Sequence, residues 1–326
     1  METAAFTRYR NSAIFNVEDE SSYSTYWESI DNMIPAGSTV FLSGDGIYNQ
    51  INLEMMMDED GKYTIDKHQI ILVSNTKDLL NTNTNKKTLR ELAKDQEYSY
   101  VLCGNPEFYT DNSGRDIPSL PGAEKEVNEI AKILSTDKKT SVTLLNRMLT
   151  EEKLKEIENP SVFHIATHGY FKEGVDDEDN FASSALLNSG LLLYGSGDIL
   201  ADKENYNVNR KEGILTAYEA SNLNFYTTEL VVLSACETGR GEMRVGEGVY
   251  GLQRAFLVAG ADAVIMSLFK VNDEVTQKLM VLFYQYWLES GNKRTAFIKA
   301  KRSIKQQYNN PLYWGAFVMI EGKPRK

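Results

Sequence analysis

Short apolar, β-branched runs alternate along this chain with segments whose apolar residues recur at helical spacing. No other feature constrains the fold as much, because parallel strands need long crossovers and a helix is the usual one. "STVFLSGDG" reads as a strand entering a Gly-rich turn, "HQIILVSN" as a second strand, and "YSYVLCGNPEF" as a third, closed by Gly104 and Pro106. "PGAEKEVNEIAKIL" is a helix behind a proline, and "TEEKLKEI" a helix with Thr150 as its N-cap ahead of acidic residues. Between them "TSVTLLN" is a strand, and "SVFHIATHG" is a strand that ends in His168 and Gly169. A long stretch from Lys172 to Glu212 reads as irregular, with an acidic run at Asp176–Asp179 and a hairpin piece, "SALLNSGLLLYGS". Then come the strand that leads to Cys236, the helix "GEGVYGLQRAFLVAG", the strand "ADAVIMSLF" and a helix from about Glu274 to Leu288. The basic amphipathic helix "TAFIKAKRSIKQQY" and a closing strand in "YWGAFVMIEG" complete the chain. The pattern predicts an α/β fold with a mostly parallel central sheet flanked by helices.

In open α/β sheets, functional groups gather at the carboxyl ends of the strands. Two residues there can do nucleophilic chemistry together, His168 and Cys236. Imidazole can accept the thiol proton, or hold the thiolate as an ion pair, and later protonate a leaving amine. Gly169 leaves its backbone N–H unobstructed, and with the N–H of Cys236 it can form an oxyanion hole. Losing one such donor costs on the order of 10²–10³ in rate. The same residues have plainer readings. A cysteine after an apolar strand is also a small buried hydrophobe, and Cys103 in "VLCGNP" is read that way. Spacing alone leaves Cys236 open between the two roles. His164 and His168 resemble a metal-ligand pair on a helix, but on a strand they lie roughly 13 Å apart. His164 is therefore expected to be structural, and His68 surface or structural.

"HIATHGYF" followed by "VVLSACETGRGE" resembles the CHAT domain, a caspase-like branch of the cysteine peptidases that also includes separase. The resemblance continues through "GEGVYGLQRAFLVAGADAVIMSLFKVND" to "PLYWGAFVMIEG", and upstream through "FLSGDGIYNQINLEMM" and "LVSNTKDLL". It implies a caspase-like sheet, His168 as general base, Cys236 as nucleophile, and the Gly169 and Cys236 N–H groups around the oxyanion. It also implies two lobes: residues 1–95, degenerate and non-catalytic, and residues 96–326, catalytic. The break is placed near Lys87 to Asp95, with the softest composition at Thr110 to Gly122. The separase-like part places the turn after "ADAVIMSLF" in the wall of the S1 pocket. Phe269, Lys270 and Asp273 are the residues expected there, with Glu274 beside them, and a basic P1 residue is favoured over an acidic one. The competing expectation is that Asn272 or Asp273 merely caps the following helix. Phe269 and Lys270 depart from the Trp common in relatives, which puts the pocket in doubt and leaves the dyad untouched.

Composition excludes other classes. The net charge is −11 and the basic residues form no single stripe, against nucleic acid or an anionic membrane as partner. No apolar segment approaches the roughly 18 residues of a membrane span, and the first 20 residues lack a signal-peptide h-region. With two cysteines and three histidines, a disulfide scaffold and a metal site are both disfavoured. The expectation is a cytoplasmic cysteine endopeptidase, without cofactor, acting on a protein substrate in bacterial defence or cell death. A regulatory sensor, such as a tetratricopeptide module in another chain or a missing part, is the expected partner. The alternative is a catalytically silent CHAT scaffold.

Overall fold

The apolar runs become eleven strands among the described residues. They are β1 (Thr39–Leu42), β2 (Gln69–Val73), β3 (Tyr100–Gly104), β4 (Ser141–Leu145), β5 (Val162–Ala166), β6 (Gly169–Phe171), β7 (Ser189–Leu192), β8 (Ile214–Thr216), β9 (Leu230–Leu233), β10 (Ala263–Ser267) and β11 (Phe317–Glu321). The computed structural model describes residues 2–19, 21–80, 99–111, 116–171, 186–201, 213–234 and 247–322. Cys236, the proposed lobe break and most of the Lys172–Glu212 stretch lie outside the described residues.

Eight strands form one sheet in the order β1-β2-β11-β10-β9-β5-β3-β4. β4, β3, β5, β9 and β10 are mutually parallel. β11 is antiparallel to β10 but parallel to β2, which is parallel to β1. The three strands β1, β2 and β11 therefore run opposite to the other five, and their carboxyl ends lie on the other edge of the sheet. Strand order reverses between β3 and β5: the chain passes from β3 outward to β4, then returns to β5 on the other side of β3. Such a switch point opens a crevice at the strand ends, where ligands bind in folds of this kind.

Side-chain alternation divides the core. Tyr100, Leu102, Val162, Leu230, Val232 and Ile265 face one buried cluster, while Val101, Cys103, Phe163, Ile165, Val231 and Met266 face another. Both faces are apolar because both are covered, as expected for a parallel sheet. The five longest described helices are α1 (Glu2–Phe15), α2 (Pro121–Thr136), α3 (Glu247–Val258), α4 (Asp273–Ser290) and α5 (Lys293–Lys305). α1, α2, α4 and α5 contribute to the first cluster and α3 to the second. Pro121 opens α2, where its missing N–H costs nothing. Asn272 caps α4 by accepting from the Val275 N–H at 3.1 Å.

Buried polar contacts stitch the N-terminal segment to the C-terminal elements. Lys301 is 1% exposed, pairs with Glu54 and donates to the Phe317 carbonyl at 2.9 Å. Asn52 donates to the Gly315 carbonyl at 2.7 Å. Buried charges are tolerated only when paired and hydrogen-bonded, so this contact fixes how Glu54 meets α5.

Two local expectations change. The Lys172–Glu212 stretch is regular at its centre, where β7 sits between β6 and β8 in a second, antiparallel sheet and the helix Ser196–Ala201 follows. The hairpin piece is thus a middle strand, anchored because Leu191 and Leu193 are buried and Gly190 admits the Leu215 carbonyl. The first residues, read only for the absence of a signal peptide, form α1, which buries Phe6, Tyr9 and Ala13 along one face.

Candidate active site

β5 carries His168 to the edge of the sheet at the switch point. Thr167, fully buried, donates its hydroxyl to the Leu192 carbonyl at 2.5 Å, and the Leu192 N–H donates to the His168 carbonyl at 2.9 Å. The second sheet thereby holds the backbone on both sides of the histidine. The ring is half-buried, 5.1 Å from that of Phe108. Its Nε2 lies 2.9 Å from the Pro118 carbonyl oxygen. A carbonyl can only accept, so in the neutral ring Nε2 carries the hydrogen and Nδ1 holds the lone pair. Among the described residues no second hydrogen bond reaches the ring. The neutral ring thus has a fixed tautomer, oriented by a group that does not titrate.

The cleft beside it is lined by Asn105, Phe108, Tyr109, Asp111, Pro118 and Ser119, among others. Asn105 sits at φ 44°, a left-handed conformation that Asn tolerates better than most residues. Its N–H donates to the Ala166 carbonyl at 3.1 Å, which ties the end of β3 to the end of β5. Its side chain accepts from the Leu120 N–H at 2.8 Å and donates to Glu124 at 2.9 Å. The far wall is docked as well: Thr110 donates to Asp198 from its N–H at 2.8 Å and from its hydroxyl at 2.7 Å. The Thr110–Gly122 stretch, soft in composition, is therefore pinned at both described ends.

The other residues named from the sequence are distributed as follows. Gly169 opens β6 beside His168. β9, which precedes Cys236 in the chain, pairs with β5 in a register that matches Val162 with Leu230, His164 with Val232 and Ile165 with Leu233. Cys103 is fully buried in the face opposite His164, and burial pushes its thiol pKa well above the ordinary value. His164 is fully buried, with Nε2 2.8 Å from Glu126 and Nδ1 3.2 Å from the Tyr284 hydroxyl. His68 is buried rather than at the surface, with Nε2 2.5 Å from Asp31.

Of the S1 set, Lys270 is exposed. Phe269 is buried, its ring 5.9 Å from that of Tyr9 on α1. Asp273 accepts from the Gly122 N–H of α2 at 2.9 Å, and Glu274 pairs with Lys278 at 2.9 Å along α4. The helix cap is Asn272. Sequence reading missed Pro118, Phe108 and Asn105. The Asn–Pro pair that ends "VLCGNP" carried a turn signal, whereas the use of Pro118 is a backbone property with no side-chain signature.

Among the described residues, no helix is long and apolar enough to cross a membrane. A family model described as CHAT domain matches residues 23–322. Tetratricopeptide repeat protein 28 of Mus musculus is 25% identical over 239 residues, covering 68% of this chain and 9% of the relative. The Homo sapiens protein of the same name is 23% identical over the same length, so the chain spans only 9% of either relative. Among solved structures, the Arg-specific cysteine proteinase gingipain R shows 11% identity at a TM-score of 0.46, over 86% of this chain and 58% of that one. A complex of Porphyromonas gingivalis RgpB pro- and mature domains shows 12% identity at 0.48, over 99% and 75%.

Proposed function

The chain belongs to the CHAT domain family, and from that premise we propose that it is a cysteine endopeptidase in which His168 activates Cys236 against a peptide carbonyl. The observation that carries the reading is the setting of His168. It stands at the switch point of the sheet with Nε2 held by the Pro118 carbonyl, so that Nδ1 is the basic nitrogen. The β5–β9 register supports the partner: the separation along the chain between paired residues such as His164 and Val232 is also that between His168 and Cys236. Nδ1 takes the thiol proton, the thiolate adds to the scissile carbonyl, and the imidazolium returns the proton to the leaving amine. The Gly169 and Cys236 N–H groups are our candidates for the oxyanion donors. The turn after β10 is the candidate S1 wall, with Lys270 as its exposed charge and Phe269 shaping it from behind.

Residues 1–95 are proposed as the non-catalytic lobe and 96–326 as the catalytic one. The regulator is proposed to be a sensor or partner protein, and the setting bacterial defence or cell death in the cytoplasm. A second reading, a catalytically silent interaction module, draws on the tetratricopeptide repeat proteins among the relatives. Alkylation by iodoacetamide, located by mass spectrometry, separates the two. The endopeptidase reading expects fast labelling of Cys236, lost in His168→Ala, with Cys103 unlabelled in the folded chain. Equal slow labelling of Cys236 with and without His168 would favour the silent module.

A further inference from the structure

We infer that Asp273, together with Asn105, is a positioning residue for the histidine: it holds the segment that presents the Pro118 carbonyl to His168. The inference rests on His168 being the general base and concerns how that base is held. Pro118 reaches His168 from the loop that leads into α2, four residues before Gly122. The residue at the N-cap position of the helix is Leu120, which makes no side-chain cap. The exposed N–H groups of a helix's first turn need acceptors from elsewhere. Two arrive from other elements. Asn105, at the end of β3, accepts from the Leu120 N–H at 2.8 Å, and Asp273, at the start of α4, accepts from the Gly122 N–H at 2.9 Å.

Asp273 also brings negative charge to the positive end of α2. Its approach depends on Gly122, because a Cβ there would overlap the Asp273 carboxylate. Pro118 is therefore followed closely by two clamped N–H groups, one on each side of Pro121. Releasing either clamp lets the loop and its carbonyl move, and the Nε2–H tautomer of His168 loses the acceptor that selects it. One carboxylate committed to the Gly122 N–H is poorly placed to select substrate side chains, which sets this role against that of an S1 carboxylate.

The test uses the full chain and two readouts. The first is ¹⁵N NMR of the neutral histidines, of which the chain has three. In the wild type, His168 is expected as the Nε2–H tautomer, and in Asp273→Ala the two ring nitrogens should shift toward each other as tautomers exchange. The second is the rate of Cys236 alkylation by iodoacetamide across pH, a probe without a P1 side chain. Asp273→Ala should lower that rate by about tenfold or more, since small misplacements of a catalytic group are costly. Asp273→Asn retains an oxygen to accept from Gly122 and should restore most of the rate and the tautomer. Gly122→Ala suits a helix but displaces the carboxylate, and should reproduce Asp273→Ala. An unmoved His168 tautomer in Asp273→Ala overturns the inference, as does an Asp273→Asn variant no better than Asp273→Ala. A tautomer that shifts while Cys236 is slow even in the wild type supports the positioning role and counts against the endopeptidase reading alone.

Discussion

His164 lies in β5 and His168 two residues beyond its end, and the two meet opposite kinds of partner. His164 is sealed in the core, each ring nitrogen facing a side chain that can itself ionise, Glu126 or Tyr284. Burial raises the Tyr284 pKa, so its hydroxyl stays protonated. His168 stands at the edge with one nitrogen on a backbone carbonyl. A side-chain partner fixes a histidine by sharing charge and protons with it. A carbonyl fixes the ring's orientation and leaves the other nitrogen to face another molecule. The two imidazoles thus differ in partner as much as in burial, and that difference underlies the role proposed for His168.

Exchanging the two losses breaks the comparison most sharply. His168→Ala should cost about 10²–10⁴ in peptidase rate, the usual range for a positioned acid–base group, while the unfolding free energy changes by less than about 1 kcal/mol. A large destabilisation with residual activity in the folded fraction would place His168 among the structural residues. His164→Ala should do the reverse. It strands the buried Glu126 carboxyl, and leaving a buried polar group without its partner costs about 1–3 kcal/mol. Denaturant unfolding followed by circular dichroism measures this, and an unchanged midpoint would show that Glu126 finds another partner.

His68 supplies the smallest and most specific test. Burial alone would raise the Asp31 carboxyl, but hydrogen bonds from Lys67, Tyr23 and His68 outweigh it and hold the pKa below the ordinary value. A carboxyl lowered by folding stabilises above its unfolded pKa and loses that contribution as pH falls through the folded value. Wild type should therefore exceed Asp31→Asn in stability by a constant margin near neutrality. The margin should narrow as pH drops below about 4, the carboxylate's unfolded range. Urea unfolding midpoints across that interval give the margin directly, and one that widened in acid would reverse the assigned sign.

Much of this was legible in residues. β-Branched runs marked the strands of the main sheet, and Pro121 and Thr150 marked helix starts that form where expected. The THG and SACETG motifs named the candidate dyad, of which the described residues include only the histidine. Three things were hidden for physical reasons. The opposite direction of β1, β2 and β11 depends on which strands pair across more than two hundred residues, and no local propensity encodes that. The support of His168 is a carbonyl, which every residue possesses. And Asp273 carried two local readings, pocket wall and helix cap, while its partner Gly122 lies 151 residues away in the chain. α1 was faint as well: Phe6, Tyr9 and Ala13 are buried, but Ile14 and Phe15 of the same helix are exposed, so its apolar residues mark no single side.

Peptide cleavage by His168 and Cys236 together is the proposal on which these comparisons rest. Its most direct measurement is the set of new protein N-termini that appears when the full chain is incubated with a proteome. Wild type should generate a reproducible set sharing a cleavage-site preference, and both Cys236→Ala and His168→Ala should generate none of it. The same set produced by Cys236→Ala would show that the cleavage does not come from this dyad.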